Sequence, residues 1–188
     1  MEHVILEREF DPALSPDDFL AMAMDSAGCL ETYRVTWCES LLARQGNRLL
    51  CRFQAPDIES VRMVVRDTQA RAKVAWSGTV HDTGRAGKAS VVVARRFAGP
   101  VTLEELQARE DAHAWCLEQH QVTFLRTFFS ADRKRMICLY QAPDAESVRL
   151  AQRQAGMPVE NVWPCQPYDR AGLQACCPAD QTDNFVEL

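Results

Sequence analysis

Gln54-Ala55-Pro56-Asp57-Ile58-Glu59-Ser60-Val61-Arg62 decides how this chain is read, because Gln141-Ala142-Pro143-Asp144-Ala145-Glu146-Ser147-Val148-Arg149 repeats it with one change. The offset is 141 minus 54, or 87, and it holds far beyond the motif. Val4, Arg8 and Phe10 recur as Val91, Arg95 and Phe97. Cys29-Leu30-Glu31 recurs as Cys116-Leu117-Glu118, and Cys51 and Trp76 recur as Cys138 and Trp163. A solenoid needs three or more short repeats, so two long ones predict a pseudo-symmetric pair of modules. The expected boundaries are residues 1–81 for the first module, 82–89 for a linker, 90–168 for the second module and 169–188 for a tail.

Around the motif, each copy spells the same elements. Val4–Phe10 has a β-branched start, with Val4, Leu6, Arg8 and Phe10 on one side of a strand. Ser15-Pro16-Asp17-Asp18 is a helix start, with a capping serine, a proline at the first position and acids at the positive end. Apolar residues then recur at helical spacing to about Tyr33. Val35–Leu42 and Arg48–Gln54 form a hairpin about Gln45-Gly46-Asn47. Pro56-Asp57 opens a second helix, and Lys73–Val80 is a last strand. The second copy runs likewise, with Thr102-Leu103-Glu104-Glu105 as a capping box before a helix to about Gln119.

The order β-α-β-β-α-β is the ferredoxin-like pattern, whose antiparallel sheet carries both helices on one face. Simple alternation puts Trp37 and Leu41 on one side of their strand and Cys38 and Leu42 on the other. A sheet that is apolar on both sides must be covered on both sides. The expected fold is therefore α+β: tandem ferredoxin-like (βαββαβ) modules packed sheet to sheet as an intramolecular pseudo-dimer of the dimeric α/β-barrel type.

Composition narrows the function classes. With 21 basic and 26 acidic side chains, a net charge of −5 argues against a nucleic-acid partner. No apolar run reaches the roughly 18 residues of a membrane span, and the first residues lack the basic start and apolar core of a signal peptide. A cytoplasmic location is expected, with the eight cysteines mostly reduced core thiols. Phosphate-binding glycine loops and the metalloprotease and serine-hydrolase motifs are absent from the sequence.

Thr36-Trp37-Cys38-Glu39-Ser40, Leu49–Asp57 and Glu59-Ser60-Val61-Arg62, with Ile137–Asp144, Glu146-Ser147-Val148-Arg149 and Gly156-Met157-Pro158, resemble the bacterial domain-of-unknown-function family 4242. This is a nickel-binding-protein-like family of small ferredoxin-like proteins. The resemblance implies that single-module relatives dimerise face to face and that this chain is a fused dimer. It also implies a histidine two residues after each Val-Arg pair, where this chain has Val64 and Ala151.

Two candidate sites emerge. Glu110, His113, Cys116 and His120, at offsets of 3, 6 and 10 from the first, lie near one helical stripe. Carboxylate, imidazole and thiolate together suit nickel or zinc. Tyr33, Trp37 and Phe124 form an aromatic set that either fills core or lines a ligand pocket. Cys176-Cys177 in the tail adds a pair of thiols. These features point to a non-catalytic module binding a metal ion or small molecule, with further self-association open. The alternatives are a cofactor-free monooxygenase or isomerase of the dimeric α/β-barrel type, and a protein-interaction scaffold.

Overall fold

The computed structural model describes residues 1–70 and 72–169; the expected tail, with Cys176 and Cys177, lies outside the described residues. The chain divides into two compact units, one of Met1–Ser77 joined by Pro167–Asp169, the other of Gly78–Gln166.

In the first unit the order is β1 (Glu2–Glu9), α1 (Pro16–Asp25), α2 (Ala27–Thr32), β2 (Thr36–Ala43), β3 (Arg48–Ala55) and α3 (Ile58–Asp67), followed by the start of β4 (Val74–Asp82). β3 is the central strand, antiparallel to both β1 and β2. Lys73 N–H donates to Glu7 O at 2.9 Å and Trp76 Nε1 donates to Glu7 Oε1 at 2.8 Å, which sets the start of β4 beside β1. Ser15 caps α1 and Asp57 caps α3, each accepting from the backbone N–H three residues on.

The second unit repeats the order. It holds the rest of β4, then β5 (Val91–Arg96), α4 (Leu103–Ala112), α5 (Ala114–Gln119), β6 (Thr123–Ser130), β7 (Arg135–Gln141), α6 (Ala145–Gln154) and most of β8 (Asn161–Asp169). β5 lies between β7 and β8, β7 between β5 and β6, and Gly78–Asp82 pairs antiparallel with Ser130–Arg126. Thr102 and Glu105 form the reciprocal capping box expected at the start of α4. The segment joining β4 to β5 is tied at both ends. Thr83 Oγ1 donates to Leu125 O at 2.8 Å, and Ser90 Oγ donates to Ala142 O at 3.0 Å.

Three details differ from simple periodicity, and each recurs 87 residues later. The first helix of each unit is broken, at Ser26 and at His113. Ser26 Oγ donates to Met22 O and His113 Nδ1 to Arg109 O, so each side chain competes for a carbonyl of the preceding turn. The pairing of the hairpin strands slips between Trp37 and Glu39, and again between Phe124 and Arg126. Such a bulge re-aims the residues after it. Trp37 and Leu42 therefore share the helix-side core, correcting the alternation that set them on opposite faces. Finally, Gly46 has φ of 71° and Arg133 has φ of 58°, the same left-handed turn with and without glycine.

Each unit has its own helix-side core, one around Val4, Phe19, Leu30, Phe53 and Val61, the other around Val93, Leu106, Cys116, Tyr140 and Val148. The opposite strand faces are buried as well, with Ile5, Leu41 and Leu50 in the first unit and Val92, Phe128 and Leu139 in the second. Burying each such side chain contributes about 1.5–3 kcal/mol.

Candidate ligand site

The helix-side face of the first sheet is built by alternation. Leu6 and Arg8 point inward from β1, and Cys51 and Phe53 from β3. The bulge in β2 adds Trp37 and Ser40 to the same face. Trp37 Nε1 donates to Ser40 Oγ at 2.9 Å, and Ser40 Oγ donates to Cys51 Sγ at 3.0 Å. Phe19 and Leu30 descend from α1 and α2, and Val61, Val64 and Val65 from α3. Between them lies an apolar cavity of about 60 Å³. At about 30 Å³ per water of liquid volume, that is room for roughly two waters or a very small organic molecule.

One cation lines this apolar space. Arg8 is 8 % exposed, with its guanidinium carbon 5.1 Å from the centre of the Phe10 ring. Burial pushes its pKa down, partly offset by Cys51. Burial pushes the Cys51 thiol up, against the hydrogen bond from Ser40 and the charge of Arg8, so it stays protonated and unreactive near neutrality. No carboxylate or imidazole lines the cavity among the described residues.

At the corresponding place in the second unit lies a buried polar cluster. Arg95 is 2 % exposed and donates to Pro158 O at 2.7 Å, Gln152 Oε1 at 2.6 Å and Tyr140 OH at 3.3 Å. Gln152 Nε2 also donates to Tyr140 OH at 3.2 Å, and Glu110 Oε1 lies 3.8 Å from Arg95 Nη2. Burial alone would lower the Arg95 pKa, but Cys138, Tyr140 and Glu110 more than reverse it and hold the guanidinium above its ordinary value. Burial likewise pushes the Glu110 carboxyl up, with Arg95 opposing.

The residues singled out from sequence are distributed as follows. Trp37 lines the cavity. Tyr33 packs at the edge of the same core and donates its hydroxyl to Asp67. Phe124 belongs to the second unit, where its ring centre is 5.5 Å from that of Tyr140. Glu110 faces Arg95, His113 stands at the break between α4 and α5, Cys116 is fully buried core, and His120 Nε2 pairs with Gln154 Oε1 at 2.9 Å. The helix expected to carry them is interrupted at His113, and the described residues contain no group of three or more His, Cys, Asp or Glu arranged to hold a metal ion. No disulfide joins any two of the six described cysteines. Sequence reading did not single out Arg8 as a site residue. The signal was an arginine at an inward strand position between Leu6 and Phe10.

Two β-α-β-β-α-β units in one chain make the class α+β with tandem ferredoxin-like modules. A putative chlorite dismutase, TA0507, shares that fold over 94 % of this chain and 98 % of its own, at 10 % identity and a TM-score of 0.53. The family is given by sequence: the model for the nickel responsive protein SCO4226-like family matches residues 5–75 and 92–165, and the chain belongs to that family. The solved structure of SCO4226 from Streptomyces coelicolor A3(2) is similar at 20 % identity, covering 39 % of this chain and 91 % of that one, with a TM-score of 0.36. A heme-binding protein from Thermus thermophilus aligns at 10 % identity over 93 % of this chain and 94 % of its own, with a TM-score of 0.48. No curated protein matches the chain. No described helix is long and apolar enough to cross a membrane.

Proposed function

We infer that this protein is a non-catalytic small-molecule-binding module whose ligand site is the cavity of the first unit. The observation that carries this reading is the cavity itself: apolar walls, one buried cation, and no general acid or base among the described lining residues. Ligand sites typically combine mostly apolar walls with a few placed polar groups, and this one has that composition on a small scale. Its polar hydroxyls are already engaged, since Ser26 donates to Met22 O, Ser40 to Cys51 and Thr68 to Val64 O. Ligand-observed NMR and calorimetry with ethanol and acetamide test the reading. Ala23→Leu, which pushes an isobutyl group into the cavity from a half-buried helix position, abolishes binding while the fold persists. Absence of binding to the wild type, or equal binding to the filled variant, rules the cavity out as the site.

Metal binding is the second reading, and the family match is what favours it. The two positions where the family pattern carries histidine are Val64 and Ala151, both buried and apolar. A metal must then be held by donors that come together on binding, with His113 at the helix break the most adaptable of them. Titration of Ni²⁺, Zn²⁺ and Co²⁺ against wild type and His113→Ala separates the possibilities. Binding that weakens in the variant supports a site there; negligible binding to both removes the metal reading.

A further inference from the structure

The two units carry the same pair of arginines on their last helices and tie them down differently. Arg62 and Arg66 stand one turn apart on α3, as Arg149 and Arg153 do on α6. In the first unit Arg66 Nε lies 3.7 Å from Asp67 Oδ1, and Arg66 Nη2 donates to Met63 Sδ. The residues 87 positions on are Gln154 and Leu150, so both the carboxylate and the sulfur are gone. The bond that Asp67 receives from Tyr33 is kept in another form, because His120 pairs with Gln154. Only the arginine loses its company. Arg153 is exposed, and among the described residues its guanidinium makes no hydrogen bond or ion pair.

Arg153 lines an open groove of about 460 Å³ together with Arg149, Met157, Val159, Asn161 and Val162. Arg149 donates to Glu146 Oε2 at 3.1 Å and to Val162 O at 2.9 Å, which fixes its side chain and leaves further N–H groups to donate. Asn161 adds an exposed side-chain amide where the first unit has Val74. The acidic residue of the lining, Glu160, lies 3.2 Å from Arg96 Nε, at the register where Lys73 meets Glu9 with the signs exchanged. We propose that this groove binds a small organic phosphate monoester. The site belongs to the second unit and does not rest on the reading of the first unit's cavity. A guanidinium presents a planar fork that matches phosphate, and such charge-assisted bonds are about twice as strong as neutral ones. Two guanidiniums, beside carboxylates that are already engaged, suit a dianion. Met157, Val159 and Val162 supply an apolar wall for the organic part of the ester. The volume falls within the range of about 300–1,000 Å³ usual for small-molecule sites, so a molecule the size of phenyl phosphate fits.

The test is calorimetry and phosphorus NMR on the full chain with phenyl phosphate, inorganic phosphate and benzyl alcohol. The pH is held at about 7.5, above the second phosphate pKa of about 6. Phenyl phosphate is expected to bind more tightly than inorganic phosphate, and at least about tenfold more tightly than the uncharged alcohol. Arg153→Met is expected to weaken binding of the ester about tenfold, the effect of losing one hydrogen bond to a charged group. Gln154→Asp returns the first unit's carboxylate to the arginine and is expected to weaken binding as well. Arg66→Met, the matching change in the first unit, is expected to leave binding unaltered. All three positions are exposed, so the variants keep the fold, which circular dichroism checks. No binding of phenyl phosphate, or binding undiminished in Arg153→Met, overturns the proposal. An equal loss in Arg66→Met reveals a general attraction of anions to surface arginines and also overturns it. Inorganic phosphate binding as tightly as the ester overturns the assignment of an organic ester.

Discussion

Replacing Gln152 by valine, the residue found at the matching position 65, is the sharpest test of how the second unit holds its arginine. Gln152 is 3 % exposed; its carbonyl accepts from Arg95 at 2.6 Å and its amide donates to Tyr140 OH at 3.2 Å. Valine fills part of the volume and makes neither bond. A hydrogen bond to a charged group contributes about 1.5–3 kcal/mol, and the neutral bond to tyrosine about 1 kcal/mol. The apolar burial gained offsets roughly 1 kcal/mol, leaving a net loss of about 1.5–3 kcal/mol. For a chain of this size, each kcal/mol shifts Tm by about 2–4 °C, so Gln152→Val should melt roughly 3–12 °C below wild type. Gln152→Glu keeps an acceptor and adds a charge opposite that of Arg95, and should lose much less. Thermal unfolding followed by far-ultraviolet circular dichroism measures both. The reasoning fails if Gln152→Val melts within about 1 °C of wild type, or if the glutamate variant is the less stable of the two.

Other outcomes follow from the same geometry. A Cβ on Gly46 would sit 2.3 Å from Leu14 O at a positive φ, so Gly46→Ala should lower the urea midpoint by the equivalent of about 1–3 kcal/mol, while Arg133→Gly should leave it level or raise it. Asp57 and Asp144 accept backbone bonds from Ser60 and Ser147 that hold their carboxyls below the ordinary aspartate range. Because their folded pKa values are depressed, their contribution is present above the unfolded value and lost as pH falls through the folded one. Asp57→Ala/Asp144→Ala should therefore be less stable than wild type near neutrality, and the two should converge in strong acid in urea titrations. Peptide mapping after brief alkylation of the native protein should find Cys29 and Cys38 modified ahead of the buried Cys51, Cys116, Cys138 and Cys165. Equal labelling of all six would contradict the burial described above.

The repeat made most of the fold legible. Turn residues, caps and strand alternation stand in each copy at the same spacing, so each element was read twice, and Ser15, Asp57 and Thr102 act as the caps their sequence contexts indicate. The helix breaks were less visible, because each depends on one side chain bonding a carbonyl four residues back, which apolar periodicity does not register. The bulges were hidden for a similar reason: a single slipped residue leaves composition unchanged while reversing which side chains face the helices. Of the candidate site, only Trp37 was picked out beforehand among the residues that line the cavity. Arg8 and Arg95 were visible as a matched pair. What distinguishes them is the identity of neighbours at positions 23, 53 and 65 against 110, 140 and 152, which only three-dimensional adjacency brings together.

The left-handed hairpin residue carries a separate lesson about tolerance to change. Under Gly46 the loop before α1 is drawn close, with Leu14 N–H reaching Gly46 O at 2.8 Å, whereas the equivalent bond from Val101 to Arg133 spans 3.1 Å. The first corner has no room for a Cβ, whereas the second carries a long side chain at a similar backbone angle. Insertions, tags or grafted recognition loops should therefore be accommodated between Ala131 and Lys134 and rejected between Gln45 and Asn47, although the two turns trace nearly the same path.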